Sequence, residues 1–238
     1  MVRVRRRWVF FVSLGATALV MSTALGAAAS PPATTSSVLK AAKVALSKQT
    51  GVHVVESSNA DSVSWLFNVD LGTKSGQQTV SVGYARVRYR LTPTYVYISG
   101  NSPGLTTIFN LTAAQARKVG NDWMSAKAGT SAYASFKSNL TISSLVGFLP
   151  PAKGTTLSSI VTDGVHLYVL KWTTAATSST PKSSNTMTFS AVGATLPVEL
   201  RTTASGVTST AKFSRWGEHV AVNAPPVAST ISYSKVTS

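Results

Sequence analysis

The 238-residue chain has no cysteine, and only seven Asp and Glu stand against 22 Lys and Arg. Without cysteine there are no disulfides, so the fold must be held by its core alone. The same absence removes the lipid-modified N-terminal cysteine that anchors exported bacterial lipoproteins. Seven acids offer little material for the carboxylate pair of a glycoside hydrolase. Of these, Asp163 falls in a turn signal, while Glu199 and Glu218 neighbour Arg201 and Arg215. Neither H-E-x-x-H nor a Gly-rich phosphate loop occurs. The three histidines, His53, His166 and His219, are far apart, and only the fold could gather them into a metal site. These gaps predict a protein that is not an enzyme and that uses no cofactor or metal.

The N-terminus supplies what the rest of the chain lacks, a long apolar run. Arg3, Arg5, Arg6 and Arg7 precede an apolar stretch from Trp8 to Met21, which thins into Ala27-Ala28-Ala29-Ser30. A basic segment, an apolar segment and an A-x-A site make a secretory signal, with cleavage expected after Ala29. The competing reading is an uncleaved anchor, since Trp8–Ala29 is 22 residues without a charge, enough to span a bilayer. Removal of residues 1–29 leaves 18 basic and seven acidic residues, a formal charge of +11 over 209 residues. The expected localisation is therefore the periplasm, the cell envelope or the medium, with the anchor as the alternative. Excess positive charge draws a protein towards an anionic membrane or an acidic wall polymer, or it serves only solubility.

Beyond a Pro/Ser/Thr tether at residues 30–37, one β-rich domain is expected over residues 38–238. Val38, Leu39, Ala42, Ala45 and Leu46 form a helical stripe that ends before Gly51. Period-two alternation then marks strands with one buried face. Trp65, Phe67, Val69 and Leu71 share a face, with Asn68 and Asp70 opposite. Val80, Val82 and Tyr84 share the next, and Val87, Tyr89 and Leu91 oppose Arg86, Arg88 and Arg90. In the middle, Thr112 is placed to cap a helix over Ala113–Val119, and Tyr133–Lys137 and Ile142–Leu149 read as helical. Strands resume at Thr156–Val161 and Val165–Trp172, joined by the hairpin signal Asp163-Gly164. Met187–Val192, Leu196–Thr202, Val207–Phe213 and His219–Val222 complete a terminal meander. Helix, sheet, helical insertion and sheet make an α+β arrangement around one antiparallel sheet.

This order resembles the LolA-like fold of periplasmic lipid carriers, and in particular the LppX/LprG-type envelope proteins of actinobacteria. The likeness rests on Tyr95–Asn101 (YVYISGN), Ala116–Trp123 (ARKVGNDW) and Asp163–Leu170 (DGVHLYVL). Leu196–Leu200 (LPVEL), Phe213–Gly217 (FSRWG) and Val222–Pro225 (VNAP) complete it. The missing lipobox cysteine is the departure, and it bears on membrane attachment. The resemblance implies a strongly bent antiparallel sheet, a half-barrel with helices covering its concave face, and an apolar cavity for acyl chains between them. Such a cavity is lined by aromatic and branched side chains with few polar groups. From the sheet Trp65, Phe67, Val69, Val80 and Val82 are candidates. From the helical insertion they are Ile108, Phe109, Phe136, Leu145, Phe148 and Leu149. The same alternation occurs in every one-sided sheet, so a filled core is the competing reading of these positions.

Arg86, Arg88 and Arg90 lie about 7 Å apart by strand rise. They would meet anionic head groups, or they form the solvated face of an exposed strand. Nucleic acid is not an expected partner, because Tyr89 points away from the arginines and an exported protein rarely meets it. The expected partner is a lipid or other amphiphile, and the expected state is a monomer.

Overall fold

The computed structural model describes residues 33–60, 63–178 and 180–237. The signal segment, its cleavage site and the anchor alternative lie outside those residues. Helix α1 (Thr35–Ser47) starts three residues before Val38, where the sequence places it. A reciprocal cap accounts for the earlier start. Thr34 Oγ1 accepts from the Ser37 amide at 3.1 Å, and Ser37 Oγ accepts from the Thr34 amide at 2.9 Å. Both groups satisfy donors that the first turn otherwise leaves open. The expected stripe Val38, Leu39, Ala42, Ala45 and Leu46 is the buried face.

Strands β1 (Gly51–Ala60), β2 (Val63–Gly72), β3 (Gly76–Val82), β4 (Ala85–Leu91), β5 (Tyr95–Gly100) and β6 (Trp123–Lys127) form the first meander. A π turn at Gly104–Ile108 and helix α2 (Ala113–Val119) lie between β5 and β6. The Thr112 cap of α2 is as expected, its side chain accepting from the Gln115 amide. Helix α3 (Ser131–Lys137) and a 3₁₀ segment (Ile142–Phe148) carry the chain onward. The second meander is β7 (Thr156–Thr162), β8 (Val165–Thr174), β9 (Ser183–Ser190), β10 (Pro197–Ala204) and β11 (Val207–Ser214). Strand β12 (Thr230–Ser232) and helix α4 (Tyr233–Thr237) end the described chain.

All twelve strands join one unclosed, curved sheet in the order β12-β6-β5-β4-β3-β2-β1-β11-β10-β9-β8-β7. Every pairing is antiparallel except β12 with β6. The two meanders therefore meet at β1 and β11, where His53 stands opposite Ser214. Residues 131–150 cross one face of the sheet to reach its far edge. Residues 215–229 cross the other face to bring β12 back beside β6. The crossing at 131–150 is tight, because a Cβ on Gly76 would collide with the Leu140 carbonyl. A parallel bridge joins Gly72 to Thr141 at the same place. This α+β half-barrel, helices on its concave side, is the architecture that the resemblance implies.

Several local expectations change. Tyr84 lies in the β3–β4 turn and is 85% exposed, beside Gly83 at φ +54°. The shift of alternation near Ala85 is therefore a hairpin. His219–Val222 is not a strand but part of the 215–229 strap. Strand β6 carries buried residues at Trp123, Met124 and Ala126, which breaks the alternation that would have revealed it. Strand β1 includes the polar stretch Glu56–Asn59, which carries no apolar alternation. Among the described residues no helix is long and apolar enough to cross a membrane.

Candidate functional site

Residues opposite one another in a ladder share a face, so the register lays out the concave surface in rows. One row holds Leu170, Met187, Leu200, Ala211, then Phe67, Val80 and Val87. Its neighbour holds Phe213, Val54, Val69, Gln78 and Tyr89. Where these rows pass under the crossing segment, a cavity of about 30 Å³ remains. The sheet lines it with Val54, Val69, Leu71, Leu200, Ala211 and Phe213, and the crossing segment with Asn139, Ser144, Leu145 and Phe148. Space of this size holds a water or two, on the scale where one needs about 10–15 Å³. An acyl chain needs far more.

The structure separates the candidate lining residues into groups. Val69, Leu145 and Phe148 line the cavity. Trp65 and Phe67 stack at 6.2 Å and 16°, next in register to Val82 and Val80. Phe109 and Phe136 join Tyr89 in an aromatic cluster further along the sheet, with centroids 5.5 to 6.2 Å apart. Tyr233 of α4 closes that cluster edge-on to Phe109. Ile108 is buried, and Leu149 packs half-buried against the same core. Sequence reading did not single out Val54, Leu200, Ala211 or Phe213 as lining. Their alternation marks a buried face, but only the pairing of β1 with β11 brings that face beside Phe148.

Glu56 is an interior residue that the sequence pattern does not single out. It sits on β1 between Val54 and Ser58 and is wholly buried. It faces Phe67 of β2. On its other side the register, with Val54 opposite Phe213 and Ser58 opposite Ser209, brings it level with Ala211. Both carboxylate oxygens lack a hydrogen-bond partner among the described residues. Burial raises its pKa well above the usual carboxylate value, because the charged form is the costlier one in apolar surroundings.

The convex face is polar. His53 Nδ1 lies 2.6 Å from Asp70 Oδ1, Gln77 Nε2 donates to Asp70 Oδ2 at 2.9 Å, and Arg215 Nη2 donates to Oδ1 at 3.1 Å. Arg215 Nε also lies 3.4 Å from Glu218 Oε2. Burial pushes the Asp70 pKa up, but the Gln77 and His53 hydrogen bonds and the charges of His53 and Arg215 outweigh it, and the pKa is lowered. His53, Asp70 and Glu218 have the residue types and spacing to hold a cation. The Arg215 guanidinium already bridges the two carboxylates, so an ion pair tying the 215–229 strap to the sheet explains the cluster. His166 lies on β8 and is no part of it.

Arg86, Arg88 and Arg90 lie on this convex face as expected, opposite buried Val87 and Tyr89. Arg88 and Arg90 place their guanidinium carbons 5.1 and 4.7 Å from the centroid of the Trp123 ring. Arg90 also donates to the Asn223 carbonyl of the strap at 3.3 Å. One catalytic spacing is present, for Gly100-Asn101-Ser102-Pro103-Gly104 reads G-x-S-x-G, where β5 runs into a helical turn. Ser102 is exposed, and among the described residues no hydrogen bond joins it to a histidine, so no triad is assembled there.

No known protein family's sequence profile matches the chain. No curated protein matches it in sequence either. Solved structures do match. The lipoprotein LppX of Mycobacterium tuberculosis aligns with 79% of this chain and 98% of its own at 17% identity and a TM-score of 0.50. LprF of Mycobacterium bovis aligns with 80% and 96% at 13% identity and a TM-score of 0.49. An uncharacterised conserved protein of Thermus thermophilus aligns with 83% and 98% at 8% identity and a TM-score of 0.44. The fold is LppX-like. The alignment with LppX spans nearly all of that protein, so the shared architecture is the whole half-barrel rather than one hairpin.

Proposed function

We propose that this chain is an exported, non-enzymatic envelope protein that holds a lipid or other amphiphile between the concave sheet face and its helical cover. The observation that carries the reading is the cavity under residues 139–148, whose polar lining among the described residues is Asn139 and Ser144 alone. Each methylene moved there from water gains about 0.8 kcal/mol. The cover must lift for a chain to fit, and its construction favours that. It consists of a seven-residue helix and a seven-residue 3₁₀ segment, lengths with little stability of their own. The sheet beneath is a continuous ladder that need not open.

The competing function is a filled core acting through the basic convex face, and the small volume of the cavity favours it. Native mass spectrometry of the mature protein, followed by lipid extraction, separates the two. A carrier co-purifies with lipid, and Phe148→Trp displaces it while thermal unfolding changes little. A filled core holds no lipid, and the same substitution overpacks it at a cost of about 1–3 kcal/mol.

A further inference from the structure

The concave face carries an ionisable side chain that the fold does not use. Glu56 is fully buried, and neither of its oxygens has a partner among the described residues. Its neighbours on that face are Val54 along the strand, Phe67 on β2 and Ala211 on β11, and two of these, Val54 and Ala211, line the cavity. A second group shares the condition. Gln78 lies opposite Val69 on the same face, 8% exposed, with its Nε2 unpartnered among the described residues. A buried polar group left without a partner is costly, and Glu56 carries two such oxygens directly behind Val54 and Ala211 of the cavity wall.

We propose that Glu56, which lies directly behind the cavity wall formed by Val54 and Ala211, becomes a polar contact of the lipid site when the cover lifts and takes a neutral hydroxyl group carried within the otherwise apolar ligand. This rests on the carrier reading above. A carboxylic acid both donates and accepts, and so does a hydroxyl, so one ligand group satisfies both orphaned oxygens. An anionic group at this depth would find no basic residue among those in register on this face. An ammonium group would bring three donors to a single carboxyl and bury an ion pair in apolar surroundings, where desolvation offsets the attraction. Gln78 Nε2 supplies a further donor one strand beyond Val69.

The test uses neutral probes that differ only in the hydroxyl. Methyl stearate is compared with methyl esters of stearic acid hydroxylated at carbon 3, 10 or 12, by competition binding to delipidated mature protein. Wild-type protein is expected to bind at least one hydroxylated probe about tenfold tighter than methyl stearate, as one satisfied buried hydrogen bond warrants. Glu56→Leu is expected to bind the hydroxylated probes no more tightly than methyl stearate. Glu56→Met serves in its place if the leucine variant does not fold. Equal binding of all probes by the wild type, or a preference retained in the variant, overturns the role of Glu56 while the carrier reading stands. No binding of any probe overturns both.

Discussion

Replacing Glu56 with leucine should stabilise the ligand-free protein, and the gain should grow with pH. Leucine has nearly the same bulk and leaves no orphaned oxygen beside Phe67 and Ala211. Removing a buried unsatisfied group of this kind returns about 1–3 kcal/mol. The pH dependence follows from the raised folded-state pKa. In the unfolded chain a glutamate loses its proton near pH 4.3. In the folded chain burial holds the proton on to higher pH, so above that point the native state binds more protons than the unfolded one. Stability then falls by about 1.4 kcal/mol per pH unit, until the folded carboxyl ionises in turn. Urea unfolding of both proteins from pH 4 to 8 isolates the effect, because every other titrating group cancels in the difference. The wild type should lose ground to the variant steadily as pH rises. A difference that is flat, or that runs the other way, would falsify the assignment of Glu56 as a buried and unpartnered acid.

Asp70→Asn should loosen the 215–229 strap and cost about 1–2 kcal/mol in denaturant unfolding at neutral pH, since hydrogen bonds to a charged group are the stronger kind and Arg215 is partly screened by solvent; unchanged stability would mean that the cluster anchors nothing. Replacing Arg86, Arg88 and Arg90 together with Gln should weaken binding to anionic vesicles more than a hundredfold if the stripe meets lipid, at about 1 kcal/mol per basic residue. Unaltered vesicle binding would leave Arg88 and Arg90 as packing for Trp123. Amides of residues 139–148 should exchange with solvent faster than those of β1, β2 and β11, since a cover that lifts does so by local opening; equal protection would argue for a rigid core. Exported material should begin at Ser30 on N-terminal sequencing, and a chain starting at Met1 or Val2 in membranes would point to the anchor.

Much of the fold was legible because alternation records one-sided burial directly. Strands β2 and β4 could be read in this way, and the hairpin of β7 with β8 from its turn signal, with Asp163 and Gly164 at φ +51° and +76°. Elements whose identity is set by distant partners could not. Strand β6 buries adjacent residues on both faces because α4 and the arginines of β4 cover it. Strand β12 has three residues and exists only as a parallel partner of β6. The strap reads as strand-like at His219–Val222 because its apolar residues pack down on glycines, as Val220 does on Gly51 and Gly72.

The candidate site was less legible for the same reason. Glu56-Ser57-Ser58-Asn59 looks like the polar end of a strand, and nothing local distinguishes an inward carboxylate from a solvated one. The distinction comes from register. Along the β1–β2 pair, His53 and Asp70 stand opposite each other on the convex side, and Glu56 and Phe67 stand opposite each other on the concave side. One alternation thus sends two carboxylates to opposite faces and shifts their pKa values in opposite directions. Asp70, with its pKa lowered, contributes stability that is present above about pH 4 and is lost as pH falls through its folded value. Glu56 withdraws stability as pH rises from about the same point. For these two groups the optimum therefore lies in mildly acidic solution.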